Sequence, residues 1–295
     1  MSNQTLGNQT LGNQSTKYKR FDGRQRTEHA LLLLSFTVLS ITGLPQMYST
    51  TYGGSWLIWL FGGIEVTRII HRTAAILLML ETIYHVVAVA YKVFVKRVRW
   101  TMLPGWQDVV DGFHAMGYNL RIAKTAPRMG RYTFGEKVEY WAVIWGTVIM
   151  VLTGFMLWNP IATTAFLPGA WIPAAKAAHG GEALLAVLSI VTWHFYNVHL
   201  KHFNRSIFTG YISPHEMQTE HLQELTELET GAPPAAPDPA VLQRRQRIFY
   251  PVAAVLSLAL LVALYLFVTI EQTAITTVPR QSVDVFTPRT PVAPP

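Results

Sequence analysis

Apolar residues fall in five long, weakly charged runs, at about 29–48, 66–95, 138–158, 179–200 and 249–270. They show neither the strict alternation of strands nor the single apolar stripe of soluble helices. Each run can cross a hydrocarbon layer of about 30 Å, which takes roughly 20 helical residues. The second is long enough to tilt or project. The pattern predicts an all-α fold, an integral membrane helical bundle of four helices followed by a fifth, C-terminal transmembrane helix.

The connections set an orientation, because retained Lys and Arg mark the cytoplasmic side. Lys17, Lys19, Arg20, Arg24 and Arg26 precede the first run, and Lys96, Arg97, Arg99, Arg121, Lys124, Arg128, Arg131 and Lys137 lie between the second and third. Residues 49–65 and 159–178 hold only Lys176 among basic residues and are rich in Trp, Gly and Pro, as expected outside. The expected organisation is a disordered cytoplasmic tail at 1–28, a four-helix unit at 29–217, a cytoplasmic linker at 218–247, the fifth helix at 248–271 and an extracytoplasmic tail at 272–295. The linker contains Gly231, Pro233, Pro234 and Pro237, which break regular structure. A cell inner (plasma) membrane location follows, with the N-terminus cytoplasmic and the C-terminus extracytoplasmic. Residues 103–114 repeat apolar positions at helical spacing and are expected to lie along the membrane surface, with His114 interfacial.

Of 295 residues, 50% are hydrophobic and 14% charged, and the formal charge is +7. The basic residues flank apolar runs and form no single stripe, so they fit a membrane surface and not nucleic acid. The chain has no cysteine. That excludes disulfides, thiolate zinc sites, iron–sulfur clusters and C-x-x-C-H haem attachment, and leaves histidine to carry any redox centre.

His71 and His85 are 14 positions apart on the second run, and His179 and His194 are 15 apart on the fourth. At 100° per residue each pair stays within about 40° to 60° of one face, with roughly 21–22 Å between its members along the axis. Two antiparallel helices thus present histidines at two matching depths. Paired imidazoles from facing helices saturate haem iron and favour electron transfer over oxygen chemistry. A single buried histidine is more often a hydrogen-bonded polar group, but several ionisable groups at paired depths in a bilayer are costly and mark function. His71 pairs with His179, while His194 has two candidate partners, His29 and His85.

Arg68 and Arg72 flank His71 at the outer boundary, where they pair with haem propionates or snorkel to the interface. Asn197 and His199, beside Lys201 and His202, stand at the cytoplasmic end of the fourth run as candidate donors to a quinone. His199 lies about 140° round the helix from His194 and is not expected to share its iron. Glu81 and Glu182 lie inside helices as candidate proton relays or polar contacts to a ligand. Gly43, Gly146 and Gly154 are candidate points of close approach.

Arg20-Phe21, Arg26-Thr27-Glu28-His29, Thr42-Gly43, Arg68-Ile69-Ile70-His71, Gly130-Arg131-Tyr132-Thr133-Phe134-Gly135-Glu136-Lys137, Trp141, the run from Val151 to Trp158 with its Thr153-Gly154, His179 and His194-Phe195-Tyr196 occur in that order. This series resembles the di-haem cytochrome b (gamma) subunit of membrane-bound formate dehydrogenases and its hydrogenase and thiosulfate reductase relatives, over residues 20–217. The resemblance implies a four-helix unit binding two haem b, with His29 and His194 on the haem nearer the cytoplasm and His71 and His179 on the outer one. It also implies electron transfer between an extracytoplasmic iron–sulfur or multihaem cytochrome subunit and quinone or menaquinone, within a hetero-oligomeric respiratory complex. The chain is then a subunit of an oxidoreductase and not an enzyme alone.

Three features depart from that pattern: His85, the 15-residue interval on the fourth helix and the fifth helix. The 14 and 15 intervals also resemble cytochrome b of quinol-oxidising bc and b6f complexes, which would pair His85 with His194, although the surrounding motifs do not. His85 stays open as an alternative ligand, a ligand to a third haem or a quinone contact. A transporter predicts inverted repeats and broken helices, which the sequence lacks. A haem-free membrane anchor needs no histidines at matched depths.

Overall fold

The computed structural model describes residues 17–201, 203–231 and 238–270. A two-residue strand β1 (Tyr18–Lys19) precedes helix α1 (Gly23–Met47). Asp22 caps α1 by accepting from the Gln25 N–H, while the Gln25 side chain accepts from the Asp22 N–H, so the helix starts six residues before His29. A short helix α2 (Tyr52–Leu60) turns the chain into α3 (Ile64–Val95), which ends in a π-helical turn at Tyr91–Val95.

The amphipathic stretch at 103–114 forms helix α4 (Trp106–Asn119). It is followed by α5 (Phe134–Trp158), with a capping box between Thr133 and Glu136, and by the short α6 (Pro160–Thr164). The fourth long helix, α7 (Trp171–Lys201), contains π-helical turns at Ile190–His194 and Tyr196–Lys201. Then come α8 (Ser206–Thr209), strand β2 (Tyr211–Ile212), α9 (Pro214–Glu220), α10 (Leu222–Thr230) and α11 (Pro239–Thr269).

The fold is an all-α membrane bundle. Helices α1, α3, α5, α7 and α11 are each long and apolar enough to span a membrane. Helix α1 packs on α3, α5 on α7, and α1 also meets α7, while α11 lies along α3. Large apolar side chains such as Leu33, Ile69, Leu185 and Leu258 point outward, and the buried positions of the four-helix unit include Ser35, Thr42, Thr67, Ala74, Thr153 and Ala175. Lipid replaces water as the outer solvent, so small residues let the helices approach and leave room between them.

Two expected segment boundaries shift. Residues 17–28 are ordered, because β1 pairs antiparallel with β2 and the Arg20 side chain, 2% exposed, sits 3.1 Å from both Glu136 and Glu224. Arg131 meets Glu224 at 2.7 Å and donates to the Arg20 carbonyl, and a small apolar core of Ile212, Met217 and Leu225 closes this end. Part of the expected linker is therefore helical, since Glu224 lies on α10, and the fifth helix begins at Pro239 instead of near residue 248. The Pro-rich stretch at 232–237, His202 and the terminal segments 1–16 and 271–295 lie outside the described residues.

Candidate functional site

Four of the five singled-out bundle histidines meet in two pairs. His71 on α3 faces His179 on α7 with ring centroids 6.4 Å apart, and His29 on α1 faces His194 on α7 at 6.3 Å. Both members of each pair are half-buried and come from different helices.

Hydrogen bonds orient three of these rings. Thr42 Oγ1 lies 3.0 Å from His71 Nδ1 and donates its own proton to the Val38 carbonyl at 2.6 Å. Its lone pair therefore accepts from Nδ1–H, which assigns the His71 tautomer and leaves Nε2 as a free base. Thr153 repeats the arrangement, 2.9 Å from His179 Nδ1 and donating to the Ile149 carbonyl. At the other level the Glu139 carboxylate accepts from His194 Nδ1 at 2.7 Å. Such contacts hold a ligating imidazole in one tautomer and one orientation.

Glycine supplies the clearance. A Cβ at Gly43 would stand 2.9 Å from His71 Cε1, and one at Gly154 would stand 3.5 Å from His179 Cε1. The Thr-Gly dipeptides on α1 and α5 thus do two jobs, with threonine orienting a histidine and the glycine after it giving the ring room. Gly146 makes a similar notch for the Glu182 carboxylate.

His85 differs from the other four. Its Nδ1 lies 2.9 Å from Glu28 Oε2 and its Nε2 lies 3.0 Å from the Tyr140 hydroxyl, so both ring nitrogens are engaged. The carboxylate accepts from Nδ1–H, and the Tyr140 hydroxyl donates to Nε2.

The remaining sequence candidates are dispersed. Arg68 pairs with Glu65 at 3.2 Å on the exposed side of α3, while Arg72 stacks over Trp158 at 4.5 Å. The Asn197 side chain donates to the Trp193 carbonyl of its own helix, and His199 packs between Phe195 and Phe203. His114 lies on the amphipathic α4. Sequence reasoning assigned no role to Glu139, Thr42 or Thr153. The signal available was their common spacing, since a carboxylate stands 14 positions before each Thr-Gly pair.

No family model matches the chain. The formate dehydrogenase cytochrome b556(fdo) subunit of Escherichia coli strain K12 is 22% identical over 182 residues, covering 60% of this chain and 76% of that protein. The chain is similar to cytochrome b subunits of formate dehydrogenases. The cytochrome b556 subunit from Haemophilus influenzae is 24% identical over 204 residues, 66% of this chain and 77% of its own length. The nitrate-inducible cytochrome b556(Fdn) subunit of Escherichia coli is 19% identical over 209 residues, 69% and 88% of the two chains. Relatives with this name and five membrane-length helices support a multi-pass membrane cytochrome b subunit of an electron-transfer complex.

Proposed function

We propose that the chain is a di-haem b-type cytochrome subunit that carries electrons between an extracytoplasmic redox partner and the quinone pool of the inner membrane. The ring separations carry this reading. If two imidazoles held one metal ion, with a metal–nitrogen bond of about 2.0–2.1 Å on each side and each ring centroid roughly 1.1 Å behind its nitrogen, their centroids would stand up to about 6.3 Å apart. The observed separations of 6.3 and 6.4 Å match that span. The residues therefore fit haem, with His71 and His179 on the outer group and His29 and His194 on the inner one. Bound haem supplies the one-electron carrier.

The protein's own residues do the rest. Thr42, Thr153 and Glu139 accept from Nδ1–H of their histidines, which leaves Nε2 as the nitrogen that would hold a metal. The apolar bundle excludes water around both levels, which the helical rise separates by roughly 20 Å. The N-terminus and the basic connections lie on the cytoplasmic side, the C-terminus lies outside, and the outer pair faces the donor or acceptor subunit, an iron–sulfur or multihaem cytochrome protein of the same complex. Quinone or menaquinone exchange belongs to the cytoplasmic half, near the inner pair.

The bc-like alternative needs His85 on iron opposite His194. His85 already gives both nitrogens to Glu28 and Tyr140, and the ring facing His194 is His29, which favours the first assignment. The test is an oxidised and dithionite-reduced optical spectrum of the purified protein with a pyridine haemochrome count. Two b-type haems per chain are expected, and absence of a reduced b-type band overturns the reading.

A further inference from the structure

The four-helix unit is a repeat of one helical hairpin. Helix α1 spans Gly23–Met47 and α5 spans Phe134–Trp158, both 25 residues long, and a constant offset of 111 brings Arg20, Glu28, Thr42 and Gly43 onto Arg131, Glu139, Thr153 and Gly154. Their capping boxes coincide too, Asp22 with Gln25 on one helix and Thr133 with Glu136 on the other. The second helices of the two hairpins align His71 with His179, and the buried Thr67 with the buried Ala175.

In sequence, His85 and His194 are out of step by one, at 14 and 15 residues from His71 and His179. The π-helical turn at Ile190–His194 removes the mismatch, because such a turn takes up one extra residue. The contacts agree: Thr42 holds His71 as Thr153 holds His179, and Glu28 holds His85 as Glu139 holds His194.

The outer pair joins equivalent residues of the two hairpins. The inner pair does not. His29 faces His194, and its equivalent across the repeat is Tyr140, which faces His85 with ring centres 5.8 Å apart. In that second pair the Tyr140 hydroxyl lies 3.0 Å from Nε2, the nitrogen that is left free for a ligand on the other three oriented histidines, and the direct bond leaves no gap for a metal.

We propose that the bundle contains two equivalent inner haem positions, and that Tyr140 is the specificity-determining residue that closes one and so directs the inner haem to His29 and His194. The inference rests on the haem reading above. It requires His29 and Tyr140 to be interchangeable, because each occupies the same place in an equivalent hairpin.

The test compares haem counts and reduced spectra of the full chain and three variants. The unaltered protein reports on the haem reading alone, and a count of zero there refutes that reading before the exchange is considered. His29→Tyr is expected to lose the inner haem and keep the outer one, giving one haem per chain. Adding Tyr140→His to it is expected to restore two, with the inner haem now on His85 and the new imidazole, and adding His85→Gln as well is expected to return the count to one. The outer haem's spectrum reports folding throughout. The proposal is overturned if the double exchange stays at one haem, or if restoration survives His85→Gln. Loss of the outer haem in the double exchange overturns it equally, because equivalent positions accept each other's residues.

Discussion

Thr153 Oγ1 lies 2.9 Å from His179 Nδ1 and gives its own proton to the Ile149 carbonyl, so one hydroxyl decides which imidazole nitrogen carries the proton. Thr153→Val removes the acceptor while keeping shape. The expected result is outer haem affinity weakened by about 10- to 100-fold, the usual effect of losing such an orienting contact. Thr153→Ser is expected to retain it. Haemochrome counts after dialysis against apomyoglobin distinguish the two, and equal retention in both variants contradicts the assigned role.

His85 and His29 are expected to respond in opposite ways. With both nitrogens of His85 engaged, His85→Phe keeps two haems, whereas His29→Ala keeps one. Loss of a haem from the first variant, with both haems kept in the second, reverses the ligand assignment.

Gly43 should tolerate no side chain. A Cβ there meets His71 Cε1 at 2.9 Å, so Gly43→Val is expected to displace the ring and empty the outer position. Gly53→Ala, where a Cβ meets nothing within 4 Å, serves as the control. An intact outer haem spectrum in Gly43→Val argues against that close approach.

The Arg20 side chain is 2% exposed and bridges Glu136 and Glu224. Arg20→Ala takes the buried guanidinium from Glu136 and leaves Glu224 with Arg131 alone, so it is expected to lower the melting temperature of the purified protein and to release β1 to protease. Unchanged melting and protease resistance would show that the cluster is not needed at this end of the bundle.

Asp22 gives a pH dependence outside the spans. Burial opposes its charge, but the Gln25 N–H and the Lys92 ammonium 3.8 Å away hold its carboxyl below the ordinary value of 3.8. A carboxyl lowered in the folded state stabilises above its unfolded pKa, and that contribution is lost as pH falls through the lower folded value. Amide exchange at the start of α1 is therefore expected to rise below about pH 4 in the unaltered protein and to show a weaker acid dependence in Asp22→Asn.

The sequence by itself determined the five spans, the all-helical class and the depths of the histidines. A bilayer demands long apolar runs, and the helical repeat converts spacing into height and face. It also held the repeated Glu and Thr-Gly spacings of α1 and α5. Spacing along one helix says nothing about which neighbour stands opposite, however, so by spacing His29 and His85 were both candidates for His194, and only the family resemblance implied His29. Packing between helices brings His29 to 6.3 Å from His194 and ties His85 between Glu28 and Tyr140. The ordered end of the bundle around Arg20 was hidden for the same reason. Arg20, Arg131, Glu136 and Glu224 read as ordinary surface charges until the chain, folding back over about 200 residues, buried Arg20 and brought the other three around it.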